Sequence, residues 1–154
     1  MQQLLTGKKR FKEFEDSKWK SYSFSEIARL RSKKFDPKTN SESRVCIELE
    51  HISQISGQLL GSVDSSKQSS TKNSFCIGDV LFGKLRPYLK KYWLAQFEGV
   101  CSTEIWVLVS QKPITSNYLF YLVQTSEFIA VSNVSTGSKM PRADWDYRPL
   151  AKVN

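Results

Sequence analysis

Apolar and polar positions fall into strand-like patterns over the middle of the chain and a helix-like pattern near its end. Val45, Ile47 and Leu49 alternate with Cys46, Glu48 and Glu50, which predicts a strand with one buried face. The run FCIGDVLFGKL at 75–85 predicts a strand entered through Gly78 and Asp79, and 88–97 a second strand after the break at Pro87, together a hairpin. Cys101, Thr103, Ile105, Val107 and Val109 alternate with Ser102, Glu104, Trp106 and Leu108, the longest strand pattern in the chain. Because both of its faces are largely apolar, it predicts a central strand.

Over 116–133 the residues Leu119, Leu122, Val123 and Ile129 share one helical face, with Ser116 or Asn117 as N-cap. Phe24, Ile27, Ala28 and Leu30 suggest a short helical turn opened by Ser25, and residues 2–5 the last turn of a helix stopped at Gly7. Polar stretches at 31–44 and 62–71 predict loops, and the turn-rich end of the chain carries Trp145 as an anchor. The expected class is α+β (mixed α/β): a single domain with a central, mainly antiparallel twisted sheet, flanking helices and long loops.

Composition sharpens the partner more than the fold. Lys and Arg number 23 against 15 Asp and Glu, a net charge of +8 in 154 residues. Such a surface favours a polyanion: nucleic acid first, an anionic membrane second. The membrane reading lacks an apolar run of about 18 residues or a basic amphipathic helix. Charges interrupt the N-terminal stretch where a secretion signal needs apolar residues. Cys46, Cys76 and Cys101 are odd in number, without metal-ligand spacing, and read as buried thiols in a reducing cytoplasm. Trp93, Trp106, Phe97, Phe120, Tyr121 and Phe128 sit in periodic segments and are expected mostly in the core.

Two stretches carry candidate chemistry. Lys84, Arg86, Lys90 and Lys91 surround Pro87, interleaved with Tyr88 and Tyr92; Lys84 and Arg86, two apart, would share a strand face suited to phosphates. The alternative is a solvated hairpin tip. Thr136, Ser138, Lys139 and Arg142 lie on a loop containing Gly137, with hydroxyls and cations for a backbone or base edge, and the Arg142 fork matches guanine N7 and O6. Here the alternative is an ordinary connection. Residues 78–84 have P-loop spacing, but Leu85 stands where a magnesium-binding hydroxyl belongs. His51 lacks partners at ligand spacing, and Asp79, Asp144 and Asp146 read as turn formers or caps.

Six segments in this order resemble the target recognition domains of type I restriction-modification specificity subunits: MQQLLTGKKRF, CIELEHI at 46–52, GDVLFGKLRPYLKKYWLA at 78–95, CSTEIWVL at 101–108, YLFYLVQ at 118–124 and TGSKMPRADW at 136–145. The resemblance implies that 1–10 end a conserved spacer helix, 11–150 form the recognition domain and 151–154 are a tail. It also implies double-stranded DNA as ligand, and the two basic stretches offer Lys84, Arg86, Tyr88, Lys90, Lys91, Thr136, Ser138, Lys139 and Arg142 as the expected contacts. Lys84, Lys90 and Lys91 would mainly position the domain, while Arg86, Ser138 and Arg142 discriminate bases. The chain itself would be non-catalytic and hold no cofactor. S-adenosylmethionine would serve the partner modification (methyltransferase) subunits, and ATP and Mg the restriction or motor subunits, all in the cytoplasm. The family pattern continues into a second conserved helix, so a fragment or half subunit is expected, and pairing with a second specificity domain or a second copy is open. The rival reading is a protein-interaction module that docks methyltransferase or specificity subunits without reading DNA.

Overall fold

The computed structural model describes Gln3, residues 9–14, Asp16, and residues 20–134 and 141–145. Its elements in chain order are α1 (Phe24–Ile27), β1 (Ala28–Leu30), β2 (Lys34–Phe35), β3 (Val45–Ile47), β4 (Val63–Asp64), β5 (Lys72–Phe75), β6 (Val80–Gly83), β7 (Tyr92–Leu94), β8 (Gly99–Cys101), β9 (Ile105–Ser110), α2 (Ser116–Leu122) and α3 (Ser126–Ser132). Short 3-10 turns punctuate them at Leu49–His51, Ser65–Lys67 and Pro87–Leu89. The α+β class expected from the patterns holds, but the strands divide between two sheets. One is antiparallel, in the order β1-β9-β6-β7; the other is five-stranded, in the order β2-β5-β8-β3-β4, with β3 and β8 parallel.

Side-chain parity along β6 and β9 explains the layering. Val80, Phe82, Trp106 and Leu108 join Phe24, Leu119, Leu122, Phe128 and Ile129 in a core under the helices. Their neighbours Leu81, Ile105 and Val107 face the other way, into a second core with Ile47, Phe75, Trp93 and Cys101. The antiparallel sheet is therefore covered on both faces, by helices and by the second sheet. Each fully buried Leu, Ile or Phe in such a layer stabilises the fold by about 1.5–3 kcal/mol. Phe82 meets Phe128 edge-on at 5.1 Å, Phe24 meets the same ring in a tilted pair at 5.0 Å, and Trp145 packs against Phe24 (5.7 Å) and Trp106 (5.6 Å). The anchoring expected of Trp145 is observed.

Three expected elements take a different form and two caps move, while of the residues expected in the first helical turn Phe24 and Ile27 lie in α1 but Ala28 and Leu30 in β1. The pattern at 101–109 is two strands in different sheets, because the Ser102 hydroxyl accepts the Glu104 amide (3.2 Å) and the Ser102 carbonyl accepts the Ile105 amide (3.0 Å), a local turn that diverts the ladder. The strand expected over 45–50 ends at Ile47, where His51 Nδ1 accepts the Glu48 amide (2.9 Å) and wraps Leu49 into a turn. The single helix over 116–133 is two: Thr125 ends the first by donating its hydroxyl to Leu122 O (2.8 Å) and caps the second by accepting the Phe128 amide (3.3 Å). Thr115, not Ser116 or Asn117, caps α2, and Ser23, not Ser25, caps α1 with Glu26 accepting its amide at 2.6 Å. The expected helix tail at 2–7 lies, apart from Gln3, outside the described residues.

Candidate nucleic-acid interface

The basic turn after β6 is built by backbone geometry. The Gly83 amide donates to Lys91 O (2.9 Å), closing the β6–β7 hairpin. Pro87 opens the 3-10 turn at a position where a missing N–H costs nothing. The flanking Arg86 (φ 53°) and Lys90 (φ 52°) both take the left-handed conformation, which costs a non-glycine residue about 1–2 kcal/mol. Because Arg86 leaves the extended conformation, the same-face argument for Lys84 and Arg86 does not carry through the turn. A second ladder does what alternation cannot: Arg86 N–H donates to Pro141 O (2.8 Å), Ala143 N–H donates to Lys84 O (2.8 Å), and Leu85 bridges Arg142. The segment around Pro87 and the end of the 136–142 stretch thus run side by side.

Within this frame Arg86 and Tyr88 are exposed, and Lys84 and Lys90 are half-buried. Lys91 Nζ donates to Leu49 O at 2.6 Å, so its ammonium is held against the scaffold. Arg142 keeps a side chain 55% exposed, with Nε 3.0 Å from Glu104 Oε2. Glu104 lies in the turn before β9, and its carbonyl accepts the Lys84 amide (2.9 Å), tying both segments to one residue. Thr136, Ser138 and Lys139 lie outside the described residues. Sequence reasoning passed over residues 53–58, which the structure joins to the same turn: the Ile55 amide donates to Lys90 O (2.9 Å), and Gln54 bridges Lys91. Only the turn formers Ser56 and Gly57 hinted at this loop.

The rival chemistries fare differently. In the P-loop-like stretch the amides of Gly78, Asp79, Gly83 and Lys84 donate to Ala95 O, Cys76 O, Lys91 O and Glu104 O, leaving no cradle for a phosphate. Asp79 accepts two bonds from the Arg31 guanidinium (2.7 and 2.9 Å) and one from the Cys76 amide (2.8 Å), so it is a cap. His51 serves the turn at Leu49–His51. Among the described residues no cluster of His, Cys, Asp or Glu could hold a metal. Burial pushes the Cys46 thiol up to about 12 and the Cys101 thiol higher still, with nearby Glu48 adding to both, so neither is a nucleophile at neutral pH. Among the described residues no helix is long and apolar enough to cross a membrane.

No family model matches the chain. It is 27% identical over 127 residues to the type I restriction enzyme EcoDI specificity subunit of Escherichia coli, a match covering 80% of this chain and 28% of that protein. Two solved structures share its fold at 22% identity. One, from work on complex assembly and conformational transition of a type I restriction-modification system, superposes with a TM-score of 0.73 over 85% of this chain and 36% of that one. The other, the HsdS subunit of Thermoanaerobacter tengcongensis, has a TM-score of 0.72 over 87% and 37%. The chain therefore spans under two fifths of the length of each. The resemblance to type I specificity subunits read from the sequence motifs is borne out.

Proposed function

We propose that this domain reads a short base sequence in duplex DNA as the specificity component, or part of one, of a type I restriction-modification system. The observation that carries the reading is the ladder joining 84–86 to 141–143, which sets Lys84 and Arg86 alongside Arg142 in a chain of net charge +8. The similarity to specificity subunits supports it. In this reading Lys84 and Lys90 neutralise phosphates and the planar forks of Arg86 and Arg142 read base edges, with Tyr88, Thr136, Ser138 and Lys139 as further proposed contacts. Lys91 contributes through its backbone and its bond to Leu49 O. The chain is non-catalytic in this reading. Residues 11–150 recognise DNA, 1–10 end a spacer helix and 151–154 are a tail. Modification and motor subunits bring S-adenosylmethionine, ATP and Mg to the site in the cytoplasm.

The test is a selection of duplexes from a randomised pool by the full chain, followed by affinity measurements at several salt concentrations. Lys84→Ala and Lys90→Ala are each expected to weaken binding to all sequences and lower the salt slope by about 1. Arg142→Ala should cost about 1–3 kcal/mol of discrimination at one base pair. A uniform loss over all sequences would reverse the role given to Arg142. Absence of salt-dependent binding, with methyltransferase association intact, would favour a docking module instead.

A further inference from the structure

Among the described residues three non-glycine residues have left-handed φ: Arg86, Lys90 and Ile55 (φ 68°). The first two form the basic turn, and the third is hydrogen-bonded to it. For a β-branched residue this conformation is a genuine outlier. Burial does not offset it, since Ile55 is 66% exposed. Yet the backbone around it is fastened on every side. Its amide donates to Lys90 O, and its carbonyl accepts the hydroxyl of buried Tyr92. Ser56 N–H donates to Gln54 O (2.7 Å), and Ser53 and Gln58 close the loop through two bonds of 3.0 Å. Gly57 lies so close under Phe120 that a Cβ there would come within 2.8 Å of the ring. The fold thus holds a strained isoleucine outward, its backbone bonded to Lys90, where solvent gives its side chain nothing to pack against.

We infer that Ile55 is a specificity-determining residue that makes an apolar contact with a base in the bound duplex, its partner being the C5-methyl group of a thymine in the major groove. The inference rests on the DNA-reading proposal and extends it to a loop outside both basic stretches. Neighbouring cations on phosphates would bring the side chain to the groove. The thymine methyl is the one apolar group that a base edge offers there. Strain retained at an exposed position is the pattern expected of a residue whose packing partner arrives with the ligand.

The experiment uses the duplex enriched by the wild-type full chain, remade with each thymine in turn replaced by uracil, which removes only the methyl group. Wild type should weaken about fourfold at one thymine, the effect of losing one buried methyl. Ile55→Asn, which tolerates the left-handed backbone, and Ile55→Gly, which relieves it, should be insensitive at that position. Both should keep the wild-type salt slope and melt no lower than wild type. Retention of the wild-type uracil profile by both variants would overturn the inference while leaving DNA reading intact. So would a wild-type profile flat at every thymine, or an enriched site without thymine. A wild-type chain with no salt-dependent duplex binding would bring down the parent reading and this one with it.

Discussion

Asp64 accepts hydrogen bonds from the Ser43 hydroxyl (2.5 Å) and the Ser66 amide (2.7 Å), capping the turn at Ser65–Lys67 where β4 ends. These bonds favour the carboxylate and lower its pKa from 3.8 to about 2, the Ser43 hydroxyl contributing most. The folded value is depressed, so the contribution to stability is present above about pH 4 and is lost as pH falls towards 2. Asp64→Asn should therefore be less stable than wild type at pH 5, with the gap closing by pH 2, as followed by urea melts across that range. Asp79 is a contrasting carboxylate, buried and bound by Arg31, where it fixes the entry to β6. Neither role was visible in the sequence beyond a general expectation of capping, because the partners Ser43 and Arg31 lie 21 and 48 residues away.

At the scale of elements, β8 lies inside the five-stranded sheet, flanked by β5 and β3. A Cβ at Gly99 would lie 2.6 Å from Val45 O and 2.8 Å from Phe75 Cζ, and a backbone carbonyl in a ladder cannot swing aside. Gly99→Ala should destabilise the protein by about 2–3 kcal/mol in urea denaturation, as overpacked cores do. Gly61→Ala is the control: its nearest neighbour, His51 Cδ2, is 3.8 Å away, and the change should stay within about 0.5 kcal/mol. The hairpin around Pro87 and the buried face Leu119, Leu122, Val123 and Ile129 were legible from periodicity alone. The breaks at Ser102 and Thr125 were not, since one hydroxyl bonding to nearby backbone outweighs a hydrophobic pattern that continues past it. For the candidate interface, the sequence marked the charged residues but not the ladder from 84–86 to 141–143, nor the loop at 53–58. Pairing between distant segments leaves no local trace.

At the scale of the whole molecule, three layers decide what solvent reaches. Cys46 and Cys101 lie at the five-stranded sheet and are buried, whereas Cys76, in the turn before β6, is partly exposed. A thiol reagent at pH 7 should modify Cys76 within minutes and the other two only on unfolding, as mass spectrometry of the labelled chain would show. Rapid labelling of Cys101 would mean that the sheets part in solution.

The ladder between Leu85 and Arg142 has a consequence for retargeting. Two stretches 57 positions apart are spaced by peptide hydrogen bonds, which are made by backbone rather than side-chain atoms. Exchanging Arg86, Tyr88 or Arg142 for other surface residues would leave their mutual offset untouched, so a new base preference need not be accompanied by a new backbone. Variants that alter the recognised letters should superpose on the parent, like different type set in one frame.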